Sequence, residues 1–102
     1  MIHVVAVITA HPGQRDALLA ASKENIPKVR AEEGCIEYTA VIDAEGFGKV
    51  QAPAGPDTLI FIEKWASPEA LKAHGAAPHQ VAYAAKTREM TASRAIHILR
   101  EA

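Results

Sequence analysis

The amino-acid sequence predicts an α+β fold of the split β-α-β type, in which one four-stranded antiparallel sheet carries its helices on one face. Two observations support this prediction. Strand-like and helical segments follow one another in the order β-α-β-β-α-β, and no linker or internal repeat divides the 102 residues. The strand-like segments are also apolar on both sides, which is typical of a sheet covered on both faces. We therefore expect one domain over residues 1–102.

The first β-α unit is predicted within the N-terminal third of the chain. Residues 2–9 are rich in β-branched and apolar side chains, which indicates a strand. Residues 11–13 end that strand, and the pattern from residue 12 to about residue 32 is helical. Pro27 is expected to kink or divide this helix because proline removes a backbone hydrogen bond. Gly34 is the expected helix stop.

Two strands separated by a long loop are predicted next. Residues 35–42 alternate, which places Tyr38 on one face of a strand and Cys35 on the other. Residues 43–57 contain three glycines and two prolines, so they predict a long loop. Residues 58–65 form the third predicted strand.

The C-terminal part predicts a helix in two pieces and a last strand. Ser67 is an N-cap candidate and Pro68 suits the first helical position. The first piece is expected to end at Gly75, and Pro78 opens a second piece that runs to about residue 90. Residues 93–99 then return to a strand pattern.

A second copy of the chain is the simplest cover for the remaining sheet face. Helices on one face leave the other face open, although the strands are apolar on both sides. The chain also has only two Phe, two Tyr and one Trp to fill its core. We therefore expect a homodimer.

Composition and charge exclude several classes of protein. The net charge is −1, so no strong field favours nucleic acid or an anionic membrane. No apolar run approaches the ~18 residues of a membrane span, and the N-terminus lacks the basic segment of a secretory signal. The single cysteine, Cys35, cannot form an internal disulfide and fits a reducing compartment. We therefore expect a cytoplasmic protein.

Glu63 is a candidate catalytic residue in the third predicted strand. It shares a face with Phe61 and Trp65, so burial is expected to raise its pKa unless a donor pairs with it. Alternatively, Glu63 is a structural acceptor for a backbone amide or a histidine.

His74 and His79 flank the break between the two helical pieces. His79 lies at a helix N-terminus, where positive charge is disfavoured, so a neutral His79 is suited to act as a general base. His74 lies at a helix C-terminus. In the alternative interpretation, each imidazole ties its helix to the sheet by hydrogen bonds. Their spacing matches no zinc motif and Cys35 is distant, so no metal site is predicted.

Three segments resemble the antibiotic biosynthesis monooxygenase (ABM) domain: residues 33–38 (EGCIEY), residues 63–74 (EKWASPEALKAH) and Pro78-His79. The pattern in that family is roughly G-C-x-x-Y, then E-x-W-x-s-x-x-A-L-x-x-H, then a second histidine. The resemblance covers nearly the whole chain in the same element order. It implies a ferredoxin-like subunit and a dimeric α+β barrel, in which two four-stranded sheets face each other.

The family includes oxygenases that act on quinols and aromatic polyketides without flavin, haem or metal. Other members degrade haem, isomerise a sugar-derived signal or have no assigned activity. The resemblance implies a cofactor-independent monooxygenase that oxidises a hydroquinone or a related phenolic or polyketide compound with dioxygen. The candidate base is His79 or His74, with Glu63 orienting an imidazole. Candidate substrate-binding residues are the aromatic side chains of Trp65, Tyr38, Tyr83 and Phe61.

Several features separate this chain from the family pattern and leave alternatives open. The loop at residues 43–57 is longer than the usual connection, and Gln80 replaces a frequent aromatic residue, which predicts a more polar pocket. The first strand lacks the asparagine of the haem-degrading branch. One alternative is an isomerase or tautomerase acting on a small carbonyl compound. Another is a non-catalytic, dimeric ligand-binding or stress protein with structural histidines.

Overall fold

The computed structural model describes all 102 residues and has the predicted element order. Its strands are β1 (Ile2–Ala10), β2 (Cys35–Val41), β3 (Thr58–Trp65) and β4 (Thr91–Leu99). Its α-helices are α1 (Arg15–Arg30), α2 (Pro68–Ala76) and α3 (Pro78–Thr87), and short 3-10 turns lie at Gly48–Val50 and Arg88–Met90. All strand pairs are antiparallel, in the spatial order β2-β3-β1-β4. The α+β fold with a four-stranded antiparallel sheet is confirmed.

One face of the sheet holds the core. The pairing register places Val4 beside Glu63 and Ala6 beside Phe61, and paired residues project to the same side of a sheet. Leu59 and Trp65, on that same face, are completely buried. The core cluster comprises Val4, Ala6, Ala10, Leu18, Val29, Tyr38, Leu59, Phe61 and Trp65.

The opposite face of the sheet is apolar but only half-buried. Val5 and Val7 of β1 lie beside Ile62 and Ile60 of β3 in the register, and Val41 of β2 follows beside Ile60. Because β-branched aliphatic side chains gain free energy when they leave water, this apolar face is suited to packing against another surface.

The predicted two-part helix is present, but α2 continues through Gly75 to Ala76 and does not end at the glycine. The Ser67 hydroxyl accepts a hydrogen bond of 3.1 Å from the amide of Ala70, and Pro68 occupies the first turn of α2. Ala77 is extended and separates α2 from α3, which opens at Pro78. This break places the end of one helix beside the start of the next.

Helix α1 continues through Pro27, so the expected division of the helix is wrong. Pro27 is exposed and lies in the last turn of the helix, so the backbone hydrogen bond that proline cannot donate is lost near the helix end. The helix ends at Arg30, before Gly34. Gly34 has a φ of +83°, and a Cβ there would lie 2.5 Å from the Cβ of Ala70. Glycine is therefore required where the chain turns into β2.

A β-bulge at the start of β2 reverses the predicted face of Cys35. Cys35 pairs with Trp65, whereas Glu37 pairs with the preceding residue of β3, Lys64. Ile36 is the extra residue and is 53% exposed, while Cys35 packs against the core. The predicted placement of Cys35 opposite Tyr38 is wrong, because simple alternation counts residues and does not include a bulge.

The predicted long loop is present between β2 and β3. Asp43 accepts hydrogen bonds of 2.9 Å from the amides of Ala54 and Gly55, and these bonds lower the pKa of its carboxyl. Asp57 accepts a bond of 3.1 Å from the amide of Gly13. These contacts close the loop at its base. Among the helices, none combines the length and hydropathy needed to cross a membrane.

Candidate active site

A cavity of about 480 Å³ lies between the sheet and helices α2 and α3. Val4, Ala6 and Phe61 form part of its floor, Tyr83 and Gln80 project from α3, and β4 contributes one side. The volume falls within the range of small-molecule sites. The cavity is therefore large enough for an aromatic ligand of one or two rings.

His74 lies in the cavity wall with 7% of its surface exposed. Its Nδ1 is 2.8 Å from Oε2 of Glu32, and its ring packs 4.8 Å from the centroid of Trp65 and 5.7 Å from that of Tyr38. A carboxylate beside Nδ1 favours the tautomer in which Nδ1–H donates. Nε2 then carries the lone pair, and no group of the chain bonds to it.

Glu32 joins both of the predicted histidines. Its Oε2 also lies 2.9 Å from Nε2 of His79. Because Glu32 follows α1, this one carboxylate connects the end of α1 to the end of α2 and the start of α3. His79 is half-buried and is not among the residues that line the cavity. The two histidines therefore share a partner, but only His74 reaches the cavity.

Glu32 could not be identified from the residue pattern alone. It lies in a Glu32-Glu33 pair after a helix, and such a pair is typical of a charged surface exposed to water. One physical signal was available, because a carboxylate near a helix C-terminus meets the negative end of the helix dipole. That position favours a cationic or hydrogen-bonding partner elsewhere, and the two imidazoles provide it.

Glu63 lies on the cavity floor with 5% of its surface exposed. Burial raises the pKa of its carboxyl, as predicted, while the hydrogen bond from Trp65 and the nearby His74 act in the opposite direction. The Nε1–H of Trp65 donates to Oε1 of Glu63 over 2.9 Å. The prediction that Glu63 orients an imidazole is wrong. Glu32 bonds to both histidines, and Oε1 of Glu63 accepts its hydrogen bond from the indole of Trp65.

Three of the four predicted aromatic residues line the cavity. Tyr38 and Phe61 pack with their ring centroids 5.2 Å apart, and Tyr83 lies on the opposite wall. Trp65 is completely buried behind His74 and does not line the cavity. Trp65 therefore supports the imidazole and the Glu63 carboxyl, whereas Tyr38, Phe61 and Tyr83 are placed to contact a ligand.

Hydrogen bonds from α1 hold the tyrosine and the glutamine of α3 in place. Ser22 donates to the carbonyl of Leu18 over 2.8 Å, so the Tyr83 hydroxyl, 2.7 Å away, donates to Ser22. Asn25 donates to Oε1 of Gln80 over 3.0 Å. Burial raises the pKa of Tyr83, and it raises that of Tyr38 further. Ser22 and Asn25 were also missed, because polar residues in a helix normally face water.

The histidines are not arranged as metal ligands. No group of three or more His, Cys, Asp or Glu side chains is placed to hold a metal ion. Both imidazole contacts are directed at a single oxygen of Glu32, so the two rings do not converge on a vacant position. Burial also raises the pKa of the Cys35 thiol, which disfavours the thiolate that ligates metals.

The site has the parts needed for proton transfer in an apolar setting. The His74 imidazole lines a cavity that also has aromatic lining residues, and its Nδ1 contacts the Glu32 carboxylate. A carboxylate that orients an imidazole and stabilises its charged form is a recurring arrangement in general base catalysis.

Comparison with known proteins places the chain in a family. The family model described as antibiotic biosynthesis monooxygenase matches residues 1–86. The chain is 39% identical over 85 residues to the "Probable quinol monooxygenase YgiN" of Escherichia coli K12, with 81% of each chain covered.

Solved structures agree with this assignment. Rv0793 from Mycobacterium tuberculosis superposes with a TM-score of 0.81 at 28% identity, covering 99% of this chain and 94% of the other. Protein SO0527 from Shewanella oneidensis has a TM-score of 0.81 at 26% identity, covering 98% and 89%. Taken with the motif segments and the sheet order, these matches show that the chain belongs to the antibiotic biosynthesis monooxygenase family.

Proposed function

We propose that this protein is a cofactor-independent monooxygenase that oxidises a hydroquinone or a related phenolic compound with dioxygen. The observation that carries the proposal is the geometry of His74, whose Nδ1 contacts Glu32 while its Nε2 is left for a ligand in an aromatic cavity. The similarity to a protein named as a quinol monooxygenase supports the substrate class.

The first step is removal of a phenolic proton. His74 Nε2 accepts the proton, and Glu32 stabilises the resulting imidazolium from the other side of the ring. The substrate anion is more electron-rich than the phenol and lies between Tyr38, Phe61 and Tyr83. Tyr38 and Phe61 are buried and limit the access of water to the anion at this end of the cavity.

The second step forms the new carbon–oxygen bond. The anion gives one electron to dioxygen, and the superoxide and substrate radical combine at a ring carbon to form a peroxide. His74 returns its proton to the peroxide, and cleavage of the O–O bond with loss of the ring hydrogen gives a carbonyl and water. The balance is hydroquinone plus O₂ giving hydroxyquinone plus H₂O, so the substrate supplies all the electrons.

Glu63 is placed to stabilise the intermediates. Burial raises its pKa and therefore favours the protonated carboxyl more than in an exposed glutamate. With Oε1 bonded to Trp65, the other oxygen can donate a hydrogen bond to an anion in the cavity whenever the carboxyl is protonated. In this proposal Glu63 acts through a hydrogen bond, and His74 is the base.

Oxygen uptake by the purified, metal-stripped protein tests this function. A panel of hydroquinones and anthrones is offered to the wild type, His74→Ala and His79→Ala. We expect uptake above the spontaneous rate, reduced about 100-fold or more in His74→Ala. His79→Ala should retain a larger share of the activity, because His79 does not line the cavity.

The outcomes separate the possible functions. Normal uptake by a folded His74→Ala protein would remove His74 as the base. Absence of uptake across the whole panel would overturn the oxygenase. In that case, oxygen-independent proton exchange on small carbonyl compounds, lost in His74→Ala, would establish an isomerase or tautomerase instead. Loss of melting temperature without any turnover would indicate a structural role for the histidines.

We also propose that the working unit is a homodimer joined through the open face of the sheet. Val5, Val7, Ile60 and Ile62 supply a continuous apolar surface on that face. Sedimentation should give a dimer at micromolar concentration, and Ile62→Asp should shift it to a monomer. The matched control is Ala17→Asp on the exposed side of α1. A wild-type monomer would contradict the dimer.

A further inference from the structure

We infer that the aromatic substrate carries an acidic substituent, a carboxylate or sulfonate, which Arg88 and Arg94 bind at the β4 side of the cavity. The inference rests on the proposed function for the identity of the reacting ring. The supporting features are the charges that line the cavity, their separation and the absence of internal partners for the two guanidinium groups.

The charged groups of the cavity lie at opposite ends. Glu63 pairs with Val4 of β1, whereas Arg94 pairs with Ile8 of the same strand. Four residues of an antiparallel strand span about 13 Å. A ligand whose phenol approaches Glu63 and His74 therefore directs its far end toward Arg94.

Positive charge dominates the β4 end. Arg88 and Arg94 line the cavity, and Glu63, at the other end, is the one acidic residue that lines it. Tyr83 lines the same cavity, and the positive charge of Arg94 opposes the rise in its pKa that burial causes. Ser93 lines this end and adds a hydroxyl donor.

The guanidinium groups of Arg88 and Arg94 have no partner within the chain. Neither forms a salt bridge, and neither side chain makes a hydrogen bond to the protein. By contrast, Lys64 and Lys86 each lie beside a glutamate, and Arg30 donates to the carbonyl of Tyr38. A planar guanidinium group can form two parallel hydrogen bonds to a carboxylate or sulfonate. Two unpaired guanidinium groups at the β4 side of the cavity therefore suit an acidic group.

This arrangement selects an amphipathic substrate. The aromatic walls at Tyr38 and Phe61 take an uncharged phenolic ring, and the arginines take the acidic group on a second ring or a short side chain. A ligand that lacks the acid still fits the aromatic end. The arginines therefore determine affinity and orientation, and His74 retains the chemistry.

Binding measured without turnover tests the inference. Calorimetry under nitrogen compares 6-hydroxy-2-naphthoate with its uncharged amide, 6-hydroxy-2-naphthamide, on the wild type, Arg88→Gln, Arg94→Gln and the double variant. We expect the acid to bind the wild type about tenfold more tightly than the amide. The double variant should bind both ligands equally. Arg100→Gln, which removes an exposed charge outside the cavity, is the matched control and should keep the preference.

Each outcome decides the inference, and the failure of the inference is distinguishable from that of the oxygenase. Equal binding of acid and amide to the wild type, binding of neither, or a preference that survives in the folded double variant would overturn it. An acid preference that depends on the arginines, together with no oxygen uptake on any quinol, would uphold the acidic ligand and refute the oxygenase. Oxygen uptake on uncharged quinols, together with equal binding of acid and amide, would uphold the oxygenase and refute the acidic ligand.

Discussion

The helix-covered side of the sheet has a packed half and a cavity half. In the packed half, Leu59 and Trp65 of β3 and Val29 of α1 have no exposed surface. In the cavity half, every residue of β4 after Thr91 is exposed, and Ile98 is 61% exposed although it is on the same face. The same alternation of apolar residues therefore gives a core in one place and an open wall in the other.

The difference shows where stability and ligand binding are located. The side chains of the packed half fill space against α1 and α2, so their removal leaves voids. In the cavity half, α3 lies across a space of about 480 Å³ from β4, so side chains there contact a ligand or water. Substitutions in the two halves should separate into effects on stability and effects on binding.

Matched truncations in the two halves give the largest expected contrast. Leu59→Ala should lower the free energy of unfolding by about 2–5 kcal/mol, because it removes completely buried methyl groups and leaves a cavity. Ile98→Ala should cost less than about 1 kcal/mol, because its side chain is already mostly in water. Urea unfolding of both variants measures the difference, and similar losses would remove the distinction between the halves.

Removal of Glu32 tests the contact that joins the end of α1 to His74 and His79. Glu32→Ala should lower the free energy of unfolding by about 1–3 kcal/mol, because it leaves the partly buried His74 and His79 without their shared acceptor. It should also lower activity by releasing the His74 ring. Glu33→Ala, an exposed neighbour, is the control. Equal effects of the two variants in urea unfolding would show that the contacts of Glu32 with the two histidines do not contribute to stability.

Glu63→Gln tests whether burial raises the pKa of the carboxyl at the cavity floor, because it changes how stability depends on pH. The amide keeps an oxygen that accepts from Trp65 and carries no charge. Burial raises the folded-state pKa of Glu63 above its ordinary value of 4.5, so the folded protein binds more protons than the unfolded chain between those two pKa values. The wild type therefore loses stability as pH rises from 4.5 through the folded-state pKa.

The expected result is a difference that depends on pH. Below pH 4 the stabilities of the wild type and Glu63→Gln should be similar, and above that range the variant should become progressively more stable than the wild type. Thermal unfolding from about pH 3 to about pH 8 measures the difference. A constant difference across this range would show that the carboxyl titrates normally.

The smallest effect is expected on the outer surface of the cavity half. Lys86 of α3 lies 2.8 Å from Glu24 of α1, and both side chains are largely exposed. The lysine lowers the pKa of Glu24 by hydrogen bonding and charge, but water and salt screen exposed pairs. Lys86→Ala should leave the melting temperature unchanged within error at 150 mM salt. A clear decrease would mean that α3 is held to α1 mainly through this pair.

Local signals predicted much of the fold because they act within a few residues. Ser67 and Pro68 specify a helix start through one hydroxyl and one fixed φ angle, and both work as expected. The glycines and prolines of residues 43–57 likewise predicted the long loop. Pro27 shows the limit of such signals, because the cost of a proline depends on its distance from the helix end, which the surrounding residues do not specify.

The candidate site was only partly predictable for a related reason. His74, Tyr38, Phe61 and Glu63 were selected from their motifs and strand positions, and all line the cavity. Glu32 was not selected, because its contact with His74 joins residues 42 positions apart. Its position near the end of α1 favours some hydrogen-bonding partner, but the surrounding residues do not identify which one.

The sequence by itself determined the order of the elements, the polarity of their faces and the family, because these depend on local backbone preferences, alternation and motif spacing. Only the tertiary structure decided which carboxylate meets the histidines, which histidine reaches the cavity and which side of the strand Cys35 occupies. Those outcomes depend on helix packing and on a bulge that shifts the register by one residue. Contacts between distant segments select among partners that are equivalent in the sequence.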